Sequence, residues 1–484
     1  MQAQDATALS PLPRLAAGYA MLGHGDAAGA LAVAEGVLAQ APALCDALVL
    51  RGAALKAAGQ FADAIAALQA ALAMEPARAA VLVSLGAAHA EAGDLAAAET
   101  CLRRALALAP RLTAAHANLI SVLAQGGDDA ATEAACHAAL AVDPRSVQAH
   151  QHLGALLVRA GRADAAQAHR DAAYRQQNVF IERATRPAPT ALVLLTADEG
   201  NIPLKYLLSR DRYTAVKWLI DYAAPGQAAR LPPYDFVLNA IGEPELPAAT
   251  HDAVEAFRRT CAGPFLNRPD RIARTSRTAL PQLLADLPGV VVPPVARWHA
   301  GMPPPALPWP MLIRPIGSHG GAGLVRLDDA AAFARAAACH AACDVTAFVD
   351  FAADDRLFRK YRMIFIDRRP LPYHLAIGDR WLVHYVTANM LGEPARRAEE
   401  RRFLDDPAAA IGTRAMAALA AIGARLGLDY AGVDFSVLPD GRVLVFEANA
   451  TMVVHPEMPD GVLAYKNPAV AAILAAFDAM VAGA

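Results

Sequence analysis

The stretch 432–451, GVDFSVLPDGRVLVFEANAT, sets three oxygen donors, Asp434, Glu447 and Asn449, in otherwise apolar surroundings. Asp440-Gly441 is a favoured two-residue turn between runs rich in Val, Leu and Phe, so the spacing predicts a β-hairpin. In that register Pro439 lies opposite Arg442, Ser436 opposite Val445, and Asp434 opposite Glu447. Opposed residues on one face have Cβ atoms about 4.5–5.5 Å apart. Asn449, two residues past Glu447, points to the same side. Two carboxylates that close repel unless a positive charge lies between them. Three such oxygens suit a hard divalent cation, above all Mg2+. The competing expectation is a set of polar side chains near the open end of the hairpin, facing water.

A second constellation is IRPIGSHGGAGLVRL (313–327). A strand carrying Arg314 runs into a loop with Gly317, Ser318, His319, Gly320, Gly321 and Gly323, and a second strand follows. Glycines let backbone N–H groups approach an anion, as in loops that cradle phosphates. GxxxxGK[ST] is missing and no helix follows at once, so this is no P-loop. An ordinary turn is the alternative. Basic residues surround it in sequence: Arg277 in RTSRTALPQLL, and Lys360 and Arg362 in FRKYRMIFI. Each alone reads as a solvated charge. RMIFI, however, looks like a buried strand, and a planar guanidinium at its start can grip a phosphate in two places.

The elements that carry these residues come after a repeat. Pro42, Pro76, Pro110 and Pro144 stand 34 residues apart, as do Gly25, Gly59, Gly93, Gly127 and Gly161. Gly18, Gly52, Gly86 and Gly154 share another phase, which Ile120 breaks once. Ala30, Ala64, Ala98 and Ala166, and Ala71, Ala105, Ala139 and Ala173, recur likewise. Each unit reads as a helix with a Gly at a close approach, a Gly turn, a second helix with an Ala at the crossing, and a Pro that stops it. Such pairs stack into a superhelix with a concave groove. RATRPAP (183–189) reads as a linker. Beyond it, ALVLLTA (191–197), YDFVLNAIG (234–242), VVVPPVARW (290–298) and MLIRPIG (311–317) read as strands of an α/β region. LPYHLAIGDRWLVHYV (371–386) reads as a hairpin turning at Gly378-Asp379, with Tyr373 and His384 on one face and His374 on the other. ARRAEERRFLDD (395–406) reads as a charged helical face in solvent.

Composition bounds the possibilities. At 484 residues the chain exceeds one core, and about three domains is the starting expectation. Hydrophobic content is 55%, but no run of about 18 apolar residues occurs, so no membrane span is expected. The first residues lack a basic segment followed by an apolar one, so no signal peptide is expected. With 44 basic and 47 acidic residues, a general nucleic-acid binder is disfavoured. Six cysteines make no disulfide framework, which fits a reducing cytoplasm. Cys339, His340 and Cys343 in CHAAC suggest metal ligands, but AAAFARAAACHAAC reads better as an Ala-rich helix.

The period and phased residues of the first third resemble the tetratricopeptide repeat, in five copies over about 11–178. The resemblance implies a groove lined by Tyr19, Val49, Ala53, Lys56, Val83, Ala87, Ser121, Gln148 and Gln151. The family's basic clamp for a C-terminal carboxylate is absent. A groove for a helix or extended peptide, and a spacer or oligomerisation module, stand as equal readings.

Residues 190–484 resemble the ATP-grasp superfamily, of the glutathione synthetase and ribosomal-protein glutamate ligase type. The hairpin 432–451 carries the likeness through its 13-residue step from Asp434 to Glu447 and its Glu-x-Asn ending. The resemblance implies an all-α tetratricopeptide superhelix over 1–185, an α/β pre-ATP-grasp domain over 186–266, and an α+β ATP-grasp fold over 267–484, divided near 346/347. It also implies ATP and two Mg2+ ions, the latter held by Asp434, Glu447 and Asn449. Arg277 and Arg314 match phosphate-binding cations, although the family usually has Lys at both places. TAFVDF (346–351) resembles the hinge where backbone groups of Phe348 and Val349 meet adenine, and Arg362 matches the Arg facing the γ-phosphate. The implied activity joins a carboxylate to an amine through an acyl phosphate, with Gly317, Ser318, His319, Gly320, Gly321 and Gly323 in a lid and Lys360 beside the phosphates. His384 is the candidate base for the amine, with a structural histidine as the alternative. Three functions follow: a ligase whose repeats recruit a peptide or protein, a ligase of free small molecules whose repeats serve assembly, and a non-catalytic ATP-binding scaffold. None needs nucleic acid or membrane.

Overall fold

The computed structural model describes residues 11–197, 200–245, 248–318, 321–385 and 387–483. The chain forms two compact units, Met1–Thr190 with Arg210–Pro225, and Ala191–Ser209 with Gly226–Ala484.

Among the described residues the first unit holds five helix pairs: Pro11–Gly23 with Ala27–Leu38, Cys45–Ala57 with Phe61–Met74, Ala79–Glu91 with Leu95–Leu108, Thr113–Gly126 with Asp129–Val142, and Val147–Arg159 with Ala163–Tyr174. The phased glycines explain the turns. Gly25, Gly59, Gly93, Gly127 and Gly161 all have φ between 71° and 86°, a left-handed backbone that a side chain strains. The second glycine phase explains the close approach: a Cβ at Gly52 would lie 2.6 Å from Leu68 Cγ, and one at Gly86 2.9 Å from Leu102 Cγ. Pro42, Pro76, Pro110 and Pro144 fall in the turns between pairs. His116 and His150, one period apart, bond through Nε2 to the carbonyls of Pro110 and Pro144.

Three strands follow: β1 (Val179–Glu182), β2 (Thr190–Leu195) and β3 (Thr214–Leu219). β1 pairs antiparallel with β3, from Val179↔Trp218 to Glu182↔Ala215. RATRPAP is not a free linker. The Ala184 N–H donates to Thr214 Oγ1 and Arg186 Nε to the Asp211 carbonyl, so the segment is tied to the returning chain. Tyr222 closes the last repeat. Its hydroxyl donates to Asp171, and its ring lies 5.4 Å from Tyr174.

The second unit continues with β4 (Phe236–Asn239), β5 (Phe265–Leu266), β6 (Val290–Val291), β7 (Val295–His299), β8 (Met311–Pro315), β9 (Val325–Leu327), β10 (Ala342–Ala347), β11 (Phe358–Ile366), β12 (Arg369–Gly378), β13 (Tyr430–Val437) and β14 (Val443–Asn449). β2, β4 and β5 run parallel. β7-β10-β8-β9 form one sheet, and β12-β11-β13-β14-β6 form another. VVVPPVARW is therefore not one strand. Pro293-Pro294, which lack amide protons, divide it into β6 and β7 in different sheets. Met363, Phe365, Leu375, Val433, Phe435 and Val445 form the core of the larger sheet with Leu419 and Ile422 of the helix Thr413–Leu426.

Several expectations are corrected. Among the described residues of 371–386 no hairpin forms: β12 pairs backwards with β11 around Asp367-Arg368, whose φ values of 46° and 68° suit a tight two-residue turn, and residue 386 lies outside the described residues. The Ala-rich helix stops at Ala337, Cys343 lies buried in β10, and Cys339 is exposed. The helix Pro394–Asp405 is no purely solvated face. Glu400 is fully buried and accepts from the Leu375 N–H and the Tyr385 and Tyr465 hydroxyls. No helix among the described residues is long and apolar enough to cross a membrane.

Candidate functional site

The hairpin of β13 and β14 reaches its register by two offsets. The turn is a three-residue loop, not two: Leu438 N–H donates to the Arg442 carbonyl, Gly441 N–H to the Leu438 carbonyl, and Gly441 has φ 79°. This places Ser436 opposite Leu444 rather than Val445. A bulge at Phe446 then adds one residue to β14 and restores Asp434 opposite Glu447. The extra residue packs its ring 4.9 Å from Phe351.

Asp434 is wholly buried and doubly held. Arg362, opposite it on β11, places Nε 2.5 Å from Oδ1 and Nη2 2.9 Å from Oδ2. Lys360, on the same side of β11, places Nζ 2.7 Å from Oδ2. Burial alone would raise the Asp434 pKa, yet Lys360 and Arg362 hold it far below the usual carboxylate range. Glu447 stands 3.7 Å from Arg277, and Asn449 Oδ1 accepts from the Thr451 N–H and hydroxyl. The three residues are brought to one end of the hairpin, but Asp434 is held by Arg362 and Lys360 and Asn449 Oδ1 by Thr451, while Glu447 has the looser ion pair with Arg277. Among the described residues no three His, Cys, Asp or Glu side chains are grouped to hold a metal. As it stands, this donor set does not fit a divalent cation at Asp434.

A cleft opens beside the hairpin, lined by Arg277, Arg314, Gly321, Phe348, Val349, Lys360, His384, Glu447 and Asn449. Here Arg277 Nη2 and Arg314 Nη2 both donate to the Ser318 carbonyl, at 2.7 and 2.6 Å. Burial, then the Arg277 charge, lowers the Arg314 pKa. Arg277 Nε is buried with no hydrogen-bond partner among the described residues. Two guanidinium groups on one neutral oxygen, with a spare buried donor, form a donor set suited to an anion such as a phosphate. The loop that supplies the carbonyl turns at Gly317 and Gly321, with φ of 70° and 80°, and Gly323 has φ 68°. His319 and Gly320 lie outside the described residues.

In the segment TAFVDF (346–351), the Phe348 N–H donates to the Pro310 carbonyl, so that amide is already used. The Phe348 ring meets Trp381 edge-on at 5.8 Å, and Arg326 lies 4.5 Å from its centroid. His384 lines the cleft, whereas His374 is buried and stacks on Tyr385 at 4.9 Å. Burial, then Lys360 and Arg362, lowers the His384 pKa.

Sequence reading missed Asn267, which joins β5 to β13. It is fully buried with φ 57°, and its Oδ1 accepts from the Asp429 and Tyr430 amides. It missed Trp381 and Arg326 as well. An Asn at positive φ leaves only a weak trace in sequence, and a lone Trp in a loop leaves none that separates cleft from core.

In the first unit a hollow is lined by Thr113, Ala117, Arg145, Gln148, Gln151 and His152. Gln148 Nε2 donates to Ser121 Oγ. Two of these, Gln148 and Gln151, are expected groove positions.

Residues 55–123 match the tetratricopeptide-repeat family model. Similar solved structures include MamA from Desulfovibrio magneticus RS-1 (21% identity, 34% of this chain and 96% of that one, TM-score 0.31). Another is TTC0263, a thermophilic TPR protein in Thermus thermophilus (23%, 35% and 92%, 0.32). A third is YrrB, a TPR protein with an unusual peptide-binding site (18%, 35% and 87%, 0.29). No curated protein matches the chain. The helical first part of this multidomain chain is therefore built from tetratricopeptide repeats, and a sheet-containing region follows it.

Proposed function

We propose that the chain is an ATP-dependent carboxylate–amine ligase whose repeats recruit a peptide or protein substrate. The supporting observation is the pair Arg277 and Arg314, converging on one carbonyl in a cleft that also holds Lys360 and His384. In this reading the arginines bind the nucleotide phosphates and Val349 lies against the base. Lys360 and Arg362 screen the approach of the carboxylate to the γ-phosphate, both being anionic. Phosphoryl transfer gives ADP and an acyl phosphate. Attack by the amine then forms the amide and releases phosphate, with His384 taking the proton lost from nitrogen. Burial and the nearby Lys360 and Arg362 charges favour its neutral form, the form that can take a proton. The glycine-rich loop excludes water from the acyl phosphate. A magnesium ion would enter on the nucleotide's own phosphates, not at Asp434.

The test is a screen of acids, amines and peptides for ADP release, with mass analysis of the product. One acid–amine pair should release ADP with wild type and not with Asp434→Asn. ATP binding without ADP formation from any pair would overturn the ligase reading. A full-length Gln151→Trp variant separates the two ligase forms. Recruitment through the groove requires KM for the peptide to rise, while a ligase of small molecules keeps its kinetics.

A further inference from the structure

We infer that Lys360 is a built-in cation, standing at Asp434 where a metal-assisted site would hold a divalent ion, so that this cleft binds nucleotide polyphosphate without metal. The inference rests on the ligase reading for the identity of the ligand.

Asp434 is fully buried, and a carboxylate in that position needs compensating charge. Here the compensation comes from the protein alone. Arg362 takes both oxygens in a two-pronged grip, and Lys360 Nζ sits on Oδ2. Strand geometry makes this arrangement intrinsic. Lys360 and Arg362 are two residues apart on β11, so they share one face, and that face meets Asp434 on β13. A divalent ion at Asp434 would have to displace a charge-assisted bond to Lys360 while sitting beside Arg362. Such an ion would meet two cations already on the carboxylate, and like charges repel. Asn449 does not help, because its Oδ1 already accepts from Thr451 twice. Lys360 nevertheless lines the cleft. With Arg277 and Arg314 it gives three cations lining the cleft, among the carboxylates Glu243, Glu245 and Glu447, of which Glu245 is paired with Arg297 and Glu447 stands 3.7 Å from Arg277. The positive charge next to the phosphates would then come from these side chains, Lys360 being shared between Asp434 and the cleft.

The experiment is calorimetric titration of the full chain with ATP, in EDTA and in excess Mg2+, together with titration of Mn2+ alone. Wild type should bind ATP in EDTA within about threefold of its affinity in Mg2+ and should bind no Mn2+. Lys360→Met should lose about tenfold or more in EDTA and recover in Mg2+. Lys360→Arg keeps the charge and should behave as wild type. If wild-type binding falls more than about thirtyfold in EDTA, or wild type itself takes up Mn2+, the inference is overturned while the ligase reading stands. If ATP binds in neither buffer, both fall.

Discussion

Ile120 and Cys136 share one buried cluster, and they invert the sizes found one and two repeats earlier. There Gly52 meets Leu68 and Gly86 meets Leu102. Where the glycine becomes a large residue, the facing leucine becomes a small one. Cys136→Leu alone should therefore overpack the crossing and destabilise the repeats by about 1–3 kcal/mol. The double change Ile120→Gly with Cys136→Leu should recover most of that loss. Urea unfolding of the two variants measures the coupling, and simple additivity would refute the exchange of volumes.

Arg314 and Arg277 hold the same Ser318 oxygen, so removing one leaves the other in place. Arg314→Met should weaken ATP binding by about 1.5–3 kcal/mol, the range for a hydrogen bond to a charged group. Arg314→Lys should retain part of the affinity, since it keeps the charge but not the planar set of donors. Calorimetry on both variants is the check, and an unchanged affinity would remove Arg314 from the ligand site.

His374 gives a pH dependence of stability. Burial, then Arg362, depresses its pKa well below the usual imidazole value. The unfolded chain then binds a proton that the folded chain refuses, so this contribution is lost as pH falls below about 6.5, at roughly 1.4 kcal/mol per unit. His374→Gln should flatten the stability profile between that point and the depressed folded value. An identical slope in wild type and variant would show that other groups govern the acid side.

Tyr222 closes the end of the repeats by donating to Asp171 at 2.8 Å and receiving from Gln167. Tyr222→Phe should cost about 1.5–3 kcal/mol, and hydrogen exchange should speed up first in the helix Ala163–Tyr174. Unchanged exchange in that helix would show that the tyrosine adds nothing to the cap.

The repeat was legible because its period is local. Each Gly at positive φ and each Ala at a crossing answers to a constraint within its own 34 residues. The strands ALVLLTA and MLIRPIG were legible for a similar reason, being continuous apolar runs. What escaped depends on distant partners. Nothing within 371–386 reveals that β12 turns back onto β11, because Asp367-Arg368 is an uncommon pair for two positive φ values. Nothing in ARRAEERRFLDD reveals that Glu400 will meet Tyr385 and Tyr465, one of them 65 residues away. The alignment of Asp434 with Glu447 was read correctly by an incorrect route, since the turn and the bulge shift the count in opposite senses. The destination of Asp434's charge was not readable, because Lys360 and Arg362 lie on a strand 72 residues upstream of it at the Arg362 pair.

The paired offsets of the last hairpin decide where this chain can accept changes of length. A residue lost from Pro439–Gly441 leaves a two-residue loop between Leu438 and Arg442 and keeps every pair down to Asp434 and Glu447. A residue lost between Arg442 and Val445 instead slides the rest of β14 by one place and turns its side chains to the other face. Changes of length should therefore collect in descendants at the tip and be absent from the strand beside it.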